Sequence, residues 1–266
     1  MVQEWTTELA ASPLFESVRG AWSVCPPVAG WPTLADYQQI LDAAAARSGG
    51  GSRLQVVPQP ESAASDWQLR YEARIYRTGE LPTRSENWHD FFNVLTWASF
   101  PQTKAALNSR HYDLLAAQAD AGQPKARTAA QDALTQFDET GVVVLSSEPA
   151  LLDLIREYRW KELFWVRRDA VRKHMRCLLF GHGLMEKALA PYVGMTGKGV
   201  LLEVLPESPQ AADQIDAALA SALAALNTPR ELAPVPVLGF PGLFRANDEE
   251  VFFDNRDYFR PPRIAT

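Results

Sequence analysis

Four polar residues, Glu86, His89, Asp90 and Asn93, recur at offsets of three and four inside the run ENWHDFFNVLTWASF. On a helix that spacing gathers them into one stripe, because side chains three and four positions apart share a face. Trp88, Phe91, Phe92, Val94, Leu95 and Ala98 occupy much of the remaining circumference, so the stripe is not simply the wet side of an exposed helix. A buried donor or acceptor without a partner costs about 1–3 kcal/mol. The stripe therefore either lines a cleft or closes a structural network. Beyond Phe100-Pro101, where proline disfavours helical angles in the residue before it, Lys104, Asn108 and His111 repeat the pattern at offsets of four and three. A tight corner between two such helices would converge the stripes, while an ordinary solvated face is the plainer account of Lys104, Asn108 and Arg110.

A histidine in such a set serves as general base or metal ligand, and a carboxylate orients it or completes the metal shell. Lys104, Asn93 and Asn108 would then bind an anionic or carbonyl-bearing substrate. Farther along, His182 and Glu186 stand four residues apart, a helical spacing that lets an imidazole and a carboxylate reach one metal ion or each other. Gly183, between them, can interrupt that helix and leave the two unconnected. Asp138-Glu139-Thr140-Gly141 reads as a tight turn, or else sets an acidic ligand or base at the end of a sheet. The expected catalytic residues are His89, Asp90, His111, His182 and Glu186, with Asn93, Lys104 and Asn108 on the substrate. The cofactor stays open, a divalent metal being the one candidate.

Several familiar chemistries leave no trace. The sequence holds no GxGxxG or GxxxxGK[ST] loop, no GxSxG elbow, no HExxH and no zinc-type cysteine array. GMTGKG, at 194–199, leads toward a strand and reads as a turn. Arg168, Arg172 and Arg176 fall at four-residue spacing and would form a basic ridge on a helix, by default a solvated face and otherwise a surface for an acidic partner or nucleic acid. The formal net charge of −6 gives no long-range attraction to phosphate backbones or anionic membranes. Nucleic acid is thus not an expected partner, and a small-molecule ligand is.

The elements that must position these residues follow from pattern. The 266 residues, 47% of them hydrophobic, suffice for a sizeable core in a single domain. Residues 1–35, rich in proline and tryptophan, read as an extended arm packed on the body. Helices are expected over 36–46, 86–99, 102–119, 129–137, 149–157, 163–189 with a break at Gly181 or Gly183, and 211–226, with a flexible loop over 123–130. Thr83 with Glu86 suggests a capping box, and Ser147 an N-cap. Leu69 to Tyr76 alternates apolar and polar residues, the period of a half-buried strand, with the run at 141–145 as its partner. Leu54 to Val57 and Val200 to Leu205 are further strands, and the Pro236-interrupted segment 234–240 is an edge strand. The result is an α+β protein, a small mixed β-sheet covered by many helices. No run of eighteen apolar residues occurs, so no membrane contact is expected. The acidic start lacks an export pattern, and Cys25 and Cys177 read as two reduced thiols of a cytoplasmic protein.

Asn87-Trp88-His89-Asp90-Phe91-Phe92-Asn93, then Phe100-Pro101-Gln102-Thr103-Lys104 with Asn108 and His111, resemble the bacterial family known as domain of unknown function 3025. FDETGVVV, FGHGLMEKALAPY with GMTGK, PVLGFPG and FFDNRDYFRP extend the likeness from about Trp5 to Pro262. The resemblance implies a bacterial protein filled by one domain, and it supplies no reaction. On the residues themselves, a hydrolase with a His/Asp/Asn/Lys cleft stands against a non-catalytic binding or scaffold protein that uses the basic ridge.

Overall fold

The computed structural model describes residues 4–26, 30–61, 66–122, 127–205 and 211–261. Its N-terminal arm is not extended. Glu8–Ala11 and Pro13–Val18 form 3-10 turns, and Arg19–Trp22 one helical turn, α1. Pro13 opens its turn, where a missing N–H is harmless, so proline and helical geometry coexist. The arm does pack on the body through its aromatics: Phe15 and Trp22 are buried, and Phe15 stacks on Phe92 at 5.2 Å. Helix α2 (Leu34–Ala43) starts on a Thr33–Asp36 capping box, and strand β1 (Gln55–Pro58) follows close to its expected place.

The expected strand at 69–76 is instead helix α3 (Tyr71–Thr78). Tyr71 and Ile75 lie four apart, Ala73 and Tyr76 three apart, so the same letters serve a helical face. The Glu and Arg residues between them are good helix formers. Gly79 stops the helix at φ 76°, a left-handed position that favours glycine, and β2 (Glu80–Thr83) then runs parallel to β1. No capping box joins Thr83 to Glu86. Thr83 donates to the Leu81 carbonyl, Glu86 sits outside the helix at φ 52°, and Asn87 caps α4 (Trp88–Ser99) by accepting from the Asp90 N–H.

After Phe100 the chain turns into α5 (Pro101–Asp120). Helix α6 (Ala129–Thr140) follows, residues 123–126 of the expected loop lying outside the described residues. It passes directly into β3 (Gly141–Ser146), so Asp138 and Glu139 belong to the last helical turn and not to a tight turn. Helix α7 (Pro149–Arg156) is not capped by Ser147, whose hydroxyl pairs with His174 Nδ1 at 3.0 Å.

The long helix expected over 163–189 is broken into a π turn at Glu162–Val166, α8 (Arg168–His174), strand β4 (Met175–Leu179) and α9 (His182–Ala188). The reason is β3, wholly buried and in need of hydrogen-bond partners on both edges. Antiparallel β4 satisfies one edge and parallel β5 (Thr196–Glu203) the other. After α10 (Ala212–Ala224), β6 (Ala233–Pro236) closes the mixed sheet as an edge strand on β5. GMTGKG thus enters β5 directly, with only its start in a turn. Val142 and Val144 face one core with Leu179 and Met185, while Val143 and Leu145 face the other with Phe100, Phe137 and Ile215. The fold is α+β, a mixed sheet between helical layers.

The basic ridge does not form, because Arg176 lies on a strand and not on α8. Arg168 meets Asp248, Arg172 meets Asp169 and Arg176 meets Glu16. Cys25 and Cys177 are both unpaired. Among the described residues no helix is long and apolar enough to cross a membrane.

Candidate functional site

Three elements meet where α6 ends. His89 lies in the first turn of α4, Glu139 in the last turn of α6, and His182 at the start of α9. The start of α9 is pinned to the junction of α6 and β3, because the N–H groups of Phe180 and Gly181 both donate to the Gly141 carbonyl, at 3.0 and 2.9 Å. A Cβ on Gly181 would lie 2.4 Å from the Gly141 nitrogen, so only glycine permits this approach. One on Gly183 would lie 2.5 Å from Glu139 Oε2, which is how the helix leaves room for the carboxylate.

Both imidazoles turn Nε2 toward the same carboxylate oxygen. His182 Nε2 is 3.5 Å and His89 Nε2 3.8 Å from Glu139 Oε1. Their Nδ1 atoms face outlying carboxylates, His89 toward Glu186 at 3.1 Å and His182 toward Asp138 at 3.9 Å. The rings meet edge to face at 4.4 Å. One donor atom from each of His89, Glu139 and His182 lies within 4.8 Å of the others, a set that could hold a metal ion. His182 is buried, and its Nδ1 has no hydrogen-bond partner among the described residues. Interaction with His182, then the charges of His182 and His89, hold the Glu139 carboxyl below its ordinary 4.5 despite partial burial.

This cluster opens into a cavity of about 380 Å³, whose wall also includes Tyr71, Glu72, Arg84, Asp90, Asn93 and His111. His89, Asp90 and Asn93 of the first stripe thus line one cavity with His111, the one residue of the second stripe that reaches it. From that wall a network runs inward: the buried Lys104 Nζ donates to Asn93 Oδ1 at 3.0 Å and Asp138 Oδ1 at 2.6 Å. Burial pushes the Asp138 carboxyl up, yet the Lys104 and His182 charges together with the Lys104 hydrogen bond outweigh it and the net direction is down. Asn93 Nδ2 in turn donates to Tyr71 Oη at 2.7 Å. Enclosure of that hydroxyl, with Glu72, Asp138 and Asp90 nearby, raises the phenol well above its ordinary value and keeps it protonated.

A family model described as Protein of unknown function (DUF3025) matches residues 54–263. The chain belongs to the DUF3025 family. No curated protein and no solved structure matches it. The match covers the DUF3025 cavity and every residue of the cluster, while the N-terminal arm and α2 lie before it.

Of the residues expected at the site of this DUF3025 protein, His89, Asp90, Asn93, His111 and His182 line the cavity. Asp90 is committed to Arg84, accepting from its backbone N–H at 2.6 Å and its guanidinium at 2.8 Å. Lys104 and Asn108 do not line it. Lys104 is 4% exposed, with Asn93 and Asp138 taking two of its three N–H donors. Asn108 clasps the Glu72 carboxylate and carbonyl and accepts from the Gly49 N–H, so it ties α5 to α3 and to the 48–52 loop. The four-residue spacing of His182 and Glu186 does not make a pair, for Glu186 reaches across to His89 on α4. Glu86 is exposed and outside the stripe. Glu139 and Asp138 come to the site only because α6 extends to Thr140, and the acid at a sheet end was the one signal for them. Tyr71, Glu72 and Arg84 carried no signal, since α3 reads as a strand.

Proposed function

We propose that this cavity is a catalytic site that hydrolyses a small carbonyl-bearing substrate. The observation that carries the reading is convergence. Imidazoles at positions 89, 111 and 182 and the Glu139 carboxylate, drawn from four helices, line one cavity of about 380 Å³, a size suited to a small molecule. His89, Glu139 and His182 form the water-activating centre, with Glu186 fixing the His89 ring through Nδ1. His111 is the proton-transfer group beside it, and the protonated Tyr71 hydroxyl is a donor for the substrate oxygen. Carboxylates of Glu72, Asp90, Asp138 and Glu139 line the cavity, against Arg84 already paired with Asp90. That balance favours an uncharged substrate over an anionic one. A cytoplasmic location in a bacterium belongs to the same proposal, supported by the two unpaired thiols.

The test is turnover of small esters, amides and lactones by wild type, Glu139→Gln and His89→Ala. The expected result is a loss of about 10²-fold or more in kcat/KM with melting temperature held, the scale of acid–base catalysis. Absence of turnover for every class, or variants that lose stability in step with activity, would count against the reading. The buried Lys104–Asn93–Asp138 network gives the scaffold reading its one specific support, because a buried network serves structure. An open wall bearing three imidazoles has no such structural use.

A further inference from the structure

The geometry points to a divalent transition-metal site in which His89 Nε2, His182 Nε2 and a Glu139 carboxylate oxygen are the protein ligands and the remaining positions face the cavity. Ligand atoms held about 2.0–2.2 Å from one tetrahedral ion stand roughly 3.4 Å apart. The separations of 3.5 and 3.8 Å from the two Nε2 atoms to Glu139 Oε1 are close to that value, and small rotations close the rest. Two imidazoles and one carboxylate select zinc and its first-row neighbours over calcium or magnesium, which prefer all-oxygen sites. Three protein ligands leave room for an exogenous one.

The surroundings make the same case independently. Metal-bound imidazoles pass their other N–H to a carboxylate, which fixes the tautomer. Here His89 does so, with Nδ1 3.1 Å from Glu186, while His182 Nδ1 faces Asp138 Oδ2 at 3.9 Å, beyond hydrogen-bond reach. His182 is 5% exposed, and its Nδ1 is buried without a hydrogen bond among the described residues. An ion at Nε2 obliges the proton onto Nδ1 and draws it toward Asp138. Glycine at 183 keeps open the space that the Glu139 carboxylate occupies. The acidic lining, poorly suited to an anion, suits a cation. Such an ion would supply Lewis acidity and an activated water at this position. The inference deepens the hydrolytic reading of the same cavity, but its test reads binding, so either can fail alone.

Protein made without a polyhistidine tag, stripped with chelator and dialysed, is titrated with Zn²⁺ and with Co²⁺, following heat and the visible absorption of cobalt. One ion per chain is expected. Glu139→Gln and His182→Ala should each weaken binding at least about tenfold, and Glu186→Gln by about 10- to 100-fold, the range for outer carboxylates. His174→Ala, at the far end of α8 and bonded to Ser147, should leave the isotherm unchanged. Circular dichroism checks folding, and Glu139→Gln, at a half-exposed position, keeps the test valid if His182→Ala does not fold. Failure to bind either ion, or isotherms unaffected by Glu139→Gln, overturns the site. Stoichiometric binding without hydrolysis upholds the site and removes only the hydrolytic reading.

Discussion

Lys104 is a cation placed where solvent cannot reach it, 4% exposed, with its ammonium on Asn93 and Asp138 and 5.1 Å from the Trp97 ring centre. Removing water from a charge is expensive, and the partners offset that cost only as a set. Lys104→Met leaves the part-buried Asp138 with only His182 Nδ1 facing it, at 3.9 Å, so urea unfolding should show a loss of about 3 kcal/mol, the low end for a broken buried pair. Adding Asp138→Leu removes the orphaned charge and should recover most of that loss, because a buried pair is often matched by apolar groups of similar volume. A single-variant loss under about 1 kcal/mol, the value of an exposed ion pair, would show that the network is solvated. The same pair explains why Lys104 has no hold on a substrate: both of its oxygen partners come from the protein.

At the scale of elements, α9 is positioned by two glycines with different duties. A Cβ at Gly181 would meet backbone, 2.4 Å from the Gly141 nitrogen and 2.5 Å from the Thr140 nitrogen, whereas at Gly183 the nearest atom is the movable Glu139 Oε2 at 2.5 Å. Gly181→Ala should therefore cost about 3 kcal/mol of stability, the upper range for overpacking, while Gly183→Ala should cost under about 1 kcal/mol. The second variant would instead push Glu139 away from both imidazoles, so turnover or metal affinity falls with melting temperature nearly kept. Equal melting temperatures for the two variants would contradict this division. The α4 stripe was legible from sequence because its polar residues interrupt an apolar helix at a strict period. The strand β4 was not, since MRCLL is a short apolar run whose state is set by the open edge of β3. Nor could spacing show that Glu186 serves His89, because the pairing spans α9 and α4 and depends on how those helices pack. Spacing likewise puts Lys104 and Asn108 on the substrate, whereas both are buried and bonded within the protein, because spacing along α5 carries no information on depth.

Across the whole molecule, a carboxylate on α10 reaches the start of α5. Asp216, 1% exposed, accepts from the N–H groups of Gln102 and Thr103, both at 2.8 Å, and so caps α5 from a helix more than a hundred residues away. Burial nevertheless raises its carboxyl above the ordinary 3.8, the hydrogen bonds from Thr103 and Gln102 compensating only in part. A raised folded value means that the stabilising contribution of the protonated group is complete below 3.8 and is lost as pH rises through the folded value. At neutral pH wild type therefore carries the cost of a buried charge. Asp216→Asn removes that titration but sets an amide donor against one N–H, so it should be less stable by about 1 kcal/mol, as for other lost caps. The stability gap between wild type and Asp216→Asn should widen as pH falls from neutral, because only wild type gains from protonation. Melting curves of both proteins over an acid series measure it. A gap that narrows on acidification would mean that the cap holds the carboxylate below its ordinary value, with hydrogen bonding and the α5 dipole outweighing burial at the joint between the two helices.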